Sequence, residues 1–393
     1  MVNILLLGLI SFFSDISAEM VYPLIPLYLT SAFGATPALV GLIEGLAESL
    51  ASLLKVFSGY VTDKYRHKKR VAFLGYSTGL MYKIALLVAG SWAGVLAARV
   101  IDRVGKGIRT APRDVMVSES AEEGRLGHAF GVHKALDMAG SALGILLAYL
   151  LLGQAGTGQY RAIFRLSLIP AVLGLLLFGW VKEKKDHGEA RKREPFWKRM
   201  GELDGQLKLY LAVAFLFTLG NSSNGFLLLK AKAAGFTDRS VILLYFLYNL
   251  TAALLSIPLG KRSDRVGRKR VLVAGYGVFS LVYLGFARAT QPGVLTGLFV
   301  LYGVYTAMTA GVERAFIAEI APPDLKGTML GAHGMLVGLA LFPASAVAGL
   351  LWNYFGASAP FYYGAGLSLL SALILQLFLR KKGEGSESLR EGR

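Results

Sequence analysis

Long apolar stretches separated by short polar ones run through this chain from end to end. A helix needs about 20 residues to cross the ~30 Å hydrocarbon core of a bilayer. On that ruler the pattern predicts twelve spans, at residues 3 to 31, 38 to 61, 70 to 89, 91 to 112, 126 to 152, 161 to 181, 208 to 232, 239 to 260, 271 to 288, 293 to 317, 328 to 352 and 360 to 380. The expected fold class is an all-α polytopic membrane protein with two six-helix bundles.

The charges between the spans orient them. Residues 62 to 70 hold Lys64, Arg66, Lys68, Lys69 and Arg70, residues 182 to 199 hold eight basic side chains, and residues 261 to 270 hold six. The loops at 31 to 37, 89 to 91 and 353 to 359 hold no Lys or Arg. By the positive-inside rule both termini and the basic loops are cytoplasmic, in an inner (plasma) membrane. The loop after the seventh span, with Lys230, Lys232 and Arg239, is an exception.

Composition agrees. The 393 residues are 54% hydrophobic and 17% charged, with a mean hydropathy of +0.52, whereas soluble domains carry about 25% charged residues. A net charge of +17 in a soluble chain would suggest nucleic acid. Here the basic residues sit in alternate loops as orientation signals, and no nucleic-acid partner is expected. There is no Cys, and the five His are scattered without metal-ligand spacing, so neither a metal nor a cofactor is expected. The first apolar run has no basic n-region and carries Asp15 and Glu19, which reads as a retained helix rather than a leader.

The polar run at 182 to 207 reads as a cytoplasmic linker between bundles at 1 to 181 and 208 to 382, and the Gly, Ser and charge-rich residues 383 to 393 as a disordered tail. Internal similarity supports two halves. Gly127, Gly131 and His133 recur as Gly327, Gly331 and His333, and Glu119 recurs as Glu319.

Two basic loops share a second pattern. Gly260 to Arg270 reads GKRSDRVGRKR, and Gly59 to Arg70 reads GYVTDKYRHKKR, with Asp63 and Asp264 about half the chain apart. A Gly, three residues, an Asp and a basic cluster resembles the GxxxDRxGRKR signature of major facilitator superfamily transporters. In the first copy Lys64 replaces the Arg, and Arg66 the inner Gly. The resemblance implies a monomeric transporter whose two bundles rock around a central cavity, similar to proton-coupled drug and multidrug exporters. It also implies a gate at Gly59, Asp63, Gly260, Asp264 and Arg265, with the basic cluster reaching acidic groups or anionic lipid headgroups. Arg109, Arg113 and Asp114, with Glu313 and Arg314 in the second half, are expected to close that gate through ion pairs. Such exporters often place an Arg mid-way along the fourth helix. Arg99 is there, with Arg103 where a Gly would fall. In the fifth span Gly131, Gly140 and Gly144 form a glycine ladder, read here as close helix packing.

Ionisable groups inside spans cost a few kcal/mol each near the bilayer centre and should face a cavity or a partner. They concentrate in the first half. Asp15, Glu19, Glu44, Glu48, Asp102 and Asp137 are six acids, against five bases, Lys55, Lys83, Arg99, Arg103 and Lys134. A rise of 1.5 Å per residue puts Asp15 ~18 Å into its helix, near the midplane, with Glu19 one turn on. The near-balance suggests an ion-paired network. A spare carboxylate within it suits a proton carrier, with Asp15 the first choice and Asp137, with His133, the second. Proton coupling is assigned to Asp15, Glu19, Glu48, Arg99, Asp102, Arg103, His133 and Asp137, with Lys83 and Lys134 lining the cavity.

The second half is expected to recognise substrate. Asn221, Ser222, Ser223 and Asn224 interrupt the seventh span between Gly220 and Gly225 and cannot all face lipid, so a local helix break is expected. Tyr245, Tyr248 and Asn249 follow in the eighth span, and His333 lies in the eleventh. Neutral polar groups with aromatic walls suit a small amphipathic molecule. Pro23 and Pro26 predict a kink in the first span, and Pro343 another in the eleventh.

These features point to proton-driven efflux of a small molecule, with uptake symport as the alternative. An intramembrane enzyme would need a nucleophile partnered with His133 and Asp137, and none is evident, so the chain is not expected to be an enzyme. Residues 102 to 114 carry glycines without phosphate-loop spacing.

Overall fold

The computed structural model describes residues 2–65, 68–120, 126–152, 157–183, 204–321 and 326–378, and the regular structure among them is helical throughout. The helices are α1 (Val2–Glu19), α2 (Ile25–Phe33), α3 (Pro37–Tyr65), α4 (Lys68–Val88), α5 (Trp92–Glu119), α6 (Leu126–Leu151), α7 (Thr157–Leu166) and α8 (Leu168–Leu177), then α9 (Gly205–Gly220), α10 (Gly225–Ala233), α11 (Asp238–Val266), α12 (Arg268–Arg288), α13 (Pro292–Thr309), α14 (Val312–Ile320), α15 (Lys326–Phe355) and α16 (Ala359–Phe378). Four spans are built from two helices in series, at α1/α2, α7/α8, α9/α10 and α13/α14. Eleven spans are long and apolar enough to cross a bilayer. The remaining one, α5, is a 28-residue helix whose charges keep its mean hydropathy low. Most of the expected linker and the whole expected tail lie outside the described residues.

The two-piece spans break where backbone donors are lost or contested. After Glu19 the chain makes a single 3-10 turn at Tyr22–Leu24 before α2 begins, because Pro23 and Pro26 each lack an N–H for the helical ladder. Between α9 and α10 the chain leaves the helix from Asn221, where the polar side chains compete for backbone groups. α15 runs through Pro343 without interruption, as α5 does through Pro112 and α11 through Pro258. A lone Pro has a helix-compatible φ and removes one hydrogen bond, which a packed membrane helix tolerates.

The chain forms two compact units. The first comprises Met1–Lys192 with Ser223–Leu247, and the second Arg193–Ser222 with Tyr248–Arg393. In the first, α5 packs against α3 and α4, and α1 against α6 and α8. This unit also contains α10, packed on α2 and α3. Tyr160 donates to Asp238, which also pairs with Lys232, and the Arg239 guanidinium lies 4.6 Å from the centre of the Tyr149 ring. Those contacts account for two of the basic residues that disturb the loop-charge rule. In the second unit α12 packs against α13 and α16, and α9 against α15 and α16.

Candidate functional site

The first unit's polar interior starts where α1 meets α6. A β-carbon on Gly140 would lie 2.4 Å from the carbonyl oxygen of Phe12, and one on Gly144 2.6 Å from that of Ile16. Only glycine permits this approach, so Gly140 and Gly144 act as a packing device, while Gly131, the ladder's first member, lies outside the described side-chain surroundings. Asp15 and Asp137 lie one turn from these contacts, on facing helices, and their carboxyl groups face each other at close range. Lys134 Nζ donates to Asp137 Oδ2 at 2.6 Å. Lys134, expected to line the cavity, has a side chain 66% exposed and is held by this pair. One turn before Asp15, the Ser11 hydroxyl joins the Tyr76 hydroxyl at 2.9 Å and His133 Nε2 at 3.0 Å.

Charges on α5 meet charges on α3 in register. Arg99 donates to Glu44 at 2.6 Å with both side chains 1% exposed, and Arg103 reaches Glu48 at 2.8 Å one turn along. Asp102 lies between the two guanidinium groups, 3.9 Å from Arg99 and 3.7 Å from Arg103. The Tyr22 ring faces both cations, its centre 5.1 Å and 5.5 Å away. Glu19 is drawn into the same electrostatic field, but its Oε2 is buried without a hydrogen-bond partner.

Two cations lie apart from these pairs. Lys83 is 2% exposed, and Arg109, 8% exposed, donates to the Ser14 hydroxyl at 2.9 Å and stacks over the Tyr76 ring at 4.3 Å. Arg113 pairs with its own neighbour Asp114 at 2.8 Å. The side chains of Gly59, Asp63 and Lys55 lie outside the described residues.

The second unit is built on aromatic rings instead. Phe217 stacks on Tyr276 at 3.9 Å, Phe279 stacks on Tyr283 at 3.9 Å, and Tyr302 and Tyr305 close around Phe279. Asn221 donates to the Tyr305 hydroxyl at 2.9 Å, Ser222 lies close to the Tyr283 hydroxyl, and Tyr248 lies against Tyr302 at 5.2 Å. Asn224 falls in the first unit, and Asn249 follows Tyr248 on α11. Glu313, expected at the gate with Arg314, accepts from Tyr276 at 3.1 Å and lies 4.0 Å from His333. His333 Nε2 is buried without a hydrogen-bond partner, and the Tyr210 ring stacks parallel to its imidazole at 6.3 Å.

In the second basic loop the turn is one residue long. Gly267 has φ +101° and separates α11 from α12. That geometry brings Arg268 back over Asp264 at 2.9 Å, with its other amino group 2.9 Å from Glu319. Arg265 points to solvent, so the cation that holds Asp264 is Arg268. The first unit repeats the arrangement with an offset of 200 residues, since Lys68 pairs with Glu119. Lys69 donates to the Val181 carbonyl at 2.7 Å as Lys269 does to that of Gln376 at 3.0 Å.

Sequence reasoning passed over Ser11, Ser14, Tyr22 and Tyr76. A signal was present, because Ser11, Asp15, Glu19 and Tyr22 recur at helical spacing and mark one polar stripe along the first span.

Comparison with known proteins places this architecture. The family model described as Major Facilitator Superfamily matches residues 7–237 and 209–393. An uncharacterized MFS-type transporter of Methanocaldococcus jannaschii is 38% identical over 95% of this chain and 94% of its own length. The fosmidomycin resistance protein of Escherichia coli is 25% identical over 83% of this chain and 78% of its own. A crystal structure of the nucleoside transporter NupG superposes with a TM-score of 0.82 at 13% identity, over 96% of this chain and all of that one.

Proposed function

This chain belongs to the Major Facilitator Superfamily, and on that premise we propose that it exports a small amphipathic molecule across the inner membrane in exchange for protons. The observation that carries the proton reading is the Asp15–Asp137 contact. Two carboxyl groups hydrogen-bond only while a proton lies between them, because like charges at that separation do not both ionise. The pair sits mid-span at a glycine-tight helix crossing, where a small relative movement of α1 and α6 makes or breaks it. Ser11, His133 and Tyr76 continue the hydrogen-bonded path one turn away.

Glu19, Glu48, Arg99, Asp102 and Arg103 serve in this reading as the charged lattice that fixes α1, α3 and α5 around the pair. Asn221, Ser222 and the aromatic stack of the second unit provide the flat apolar surfaces and few directed donors that an amphipathic cargo needs. The name of the Escherichia coli relative, a resistance protein, supports export over uptake. The Asp264–Arg268–Glu319 link and its Lys68–Glu119 counterpart clamp helix ends in each unit, and their release is the proposed gating step. The basic loops support a cytoplasmic location for both termini, and the protein is proposed to work as a monomer.

The test is transport by purified protein in liposomes under an imposed pH gradient, read with a pH dye and a panel of amphipathic compounds. The wild type should show substrate-dependent proton flux, and Asp15→Asn should abolish it with an unchanged melting temperature. Undiminished flux in Asp15→Asn removes the pair from the mechanism.

A further inference from the structure

Lys83 and Arg109 are interior cations of the first unit for which no carboxylate lies within 4.0 Å among the described residues. The acids nearest Lys83 electrostatically are Asp102 and Asp15. The first is shared between Arg99 and Arg103, and the second faces Asp137. Lys83 offers three donors and uses none of them among the described residues. Arg109 uses one amino group on Ser14. Burying two such cations side by side is costly unless an opposite charge accompanies them.

The two head groups converge. A β-carbon on Gly79 would lie 3.8 Å from Lys83 Nζ and 4.0 Å from Arg109 Nη1, and no other atom would come within 4 Å of it. That empty corner adjoins a cavity lined by Ser14, Ser17, Tyr76 and Lys83 with small and apolar residues between them, with room for about one water-sized group. Lys83 lines this space, Arg109 reaches its Gly79 edge, and no carboxylate lines it, so the charge that meets it is positive.

We propose that Lys83, Arg109 and Ser14 form a buried site for one small anionic group, either a chloride-sized ion or the carboxylate of an organic acid. The shared chemistry is a single compact negative charge accepting from an ammonium, a guanidinium and a hydroxyl. The site lies within the first unit and does not depend on the Asp15–Asp137 reading.

Purified full-length protein in lipid nanodiscs tests the site without a proton gradient. Melting is followed at fixed pH and ionic strength while sodium isethionate, whose sulfonate is too large for the space, is replaced by sodium chloride or by sodium formate. The wild-type melting temperature should rise and saturate with at least one of them. Chloride alone sufficing identifies an inorganic ion, and formate alone a carboxylate head. Lys83→Gln should abolish the rise. Gly79→Val keeps both charges and fills the empty corner, so it should abolish the rise as well, and it carries the test if Lys83→Gln does not fold. No saturable rise in the wild type, or one that persists in Gly79→Val, overturns the site.

Discussion

Gly140→Ala adds one methyl group at the α1–α6 crossing and removes no functional atom. The added carbon would lie 2.4 Å from the Phe12 carbonyl oxygen and 2.9 Å from the Phe12 Cα. Both are backbone atoms, so no side-chain rotation relieves the overlap. Restoring ordinary contact of about 3.4 Å requires the helices to part by about 1 Å. Overpacking of this kind costs roughly 1–3 kcal/mol. A carboxyl–carboxyl hydrogen bond spans about 2.5–3.0 Å, and Asp137 lies one turn from Gly140, so a displacement of about 1 Å carries the pair out of bonding range. The expected outcome is a modest fall in melting temperature with a loss of substrate-dependent proton flux close to that of Asp15→Asn. Gly366→Ala is the control, because a β-carbon there meets nothing within 4 Å. Gly140→Ala with wild-type melting and wild-type proton flux would refute the link between helix approach and coupling.

Two further outcomes follow from other contacts. Glu44→Gln leaves Arg99 buried beside a neutral amide and should lower stability by about 3–5 kcal/mol, read by thermal or denaturant unfolding, whereas Glu44→Leu combined with Arg99→Met should recover most of that loss. A single variant as stable as the wild type would mean that water reaches Arg99. Gly267→Ala forces a side chain into a positive-φ turn at roughly 1–2 kcal/mol and should tilt Arg268 away from Asp264 and Glu319, slowing turnover with KM unchanged. A KM-only defect in transport kinetics counts against a gating role for the loop.

Eleven of the spans were legible because apolar length is a local property, and the more charged α5 because it fills the interval between two of them; most observed limits fall within a few residues of the expected ones, with α5 and α11 running further at their ends. The break at Asn221 and the kink at Pro23 were legible for the same reason, since both concern the hydrogen bonds of a single helix. Charge pairing was not. Counting six acids against five bases shows that a network is balanced, but which acid meets which base depends on helix rotation and crossing. Asp15 and Asp137 meet because Gly140 and Gly144 let α1 and α6 touch. Lys134 pairs with Asp137 on its own helix, and Glu313 turns to Tyr276 and His333. The aromatic stack was hidden as well, because Tyr276, Tyr283, Tyr302 and Tyr305 look like ordinary residues of apolar spans until α12 and α13 are side by side.

The charges of α5 also bear on how the protein is made. Arg99, Asp102 and Arg103 at mid-span would together cost an isolated helix roughly 8–10 kcal/mol on membrane-insertion scales, and α5 is the span whose composition alone does not carry it into a bilayer. Its neutralising partners, Glu44 and Glu48, lie on α3, which is synthesised earlier. The order of the sequence therefore sets the acids in the membrane before the arginines arrive. Insertion of the fourth span is a docking reaction onto the second, and a ribosome-bound chain lacking α3 should release α5 to the aqueous side.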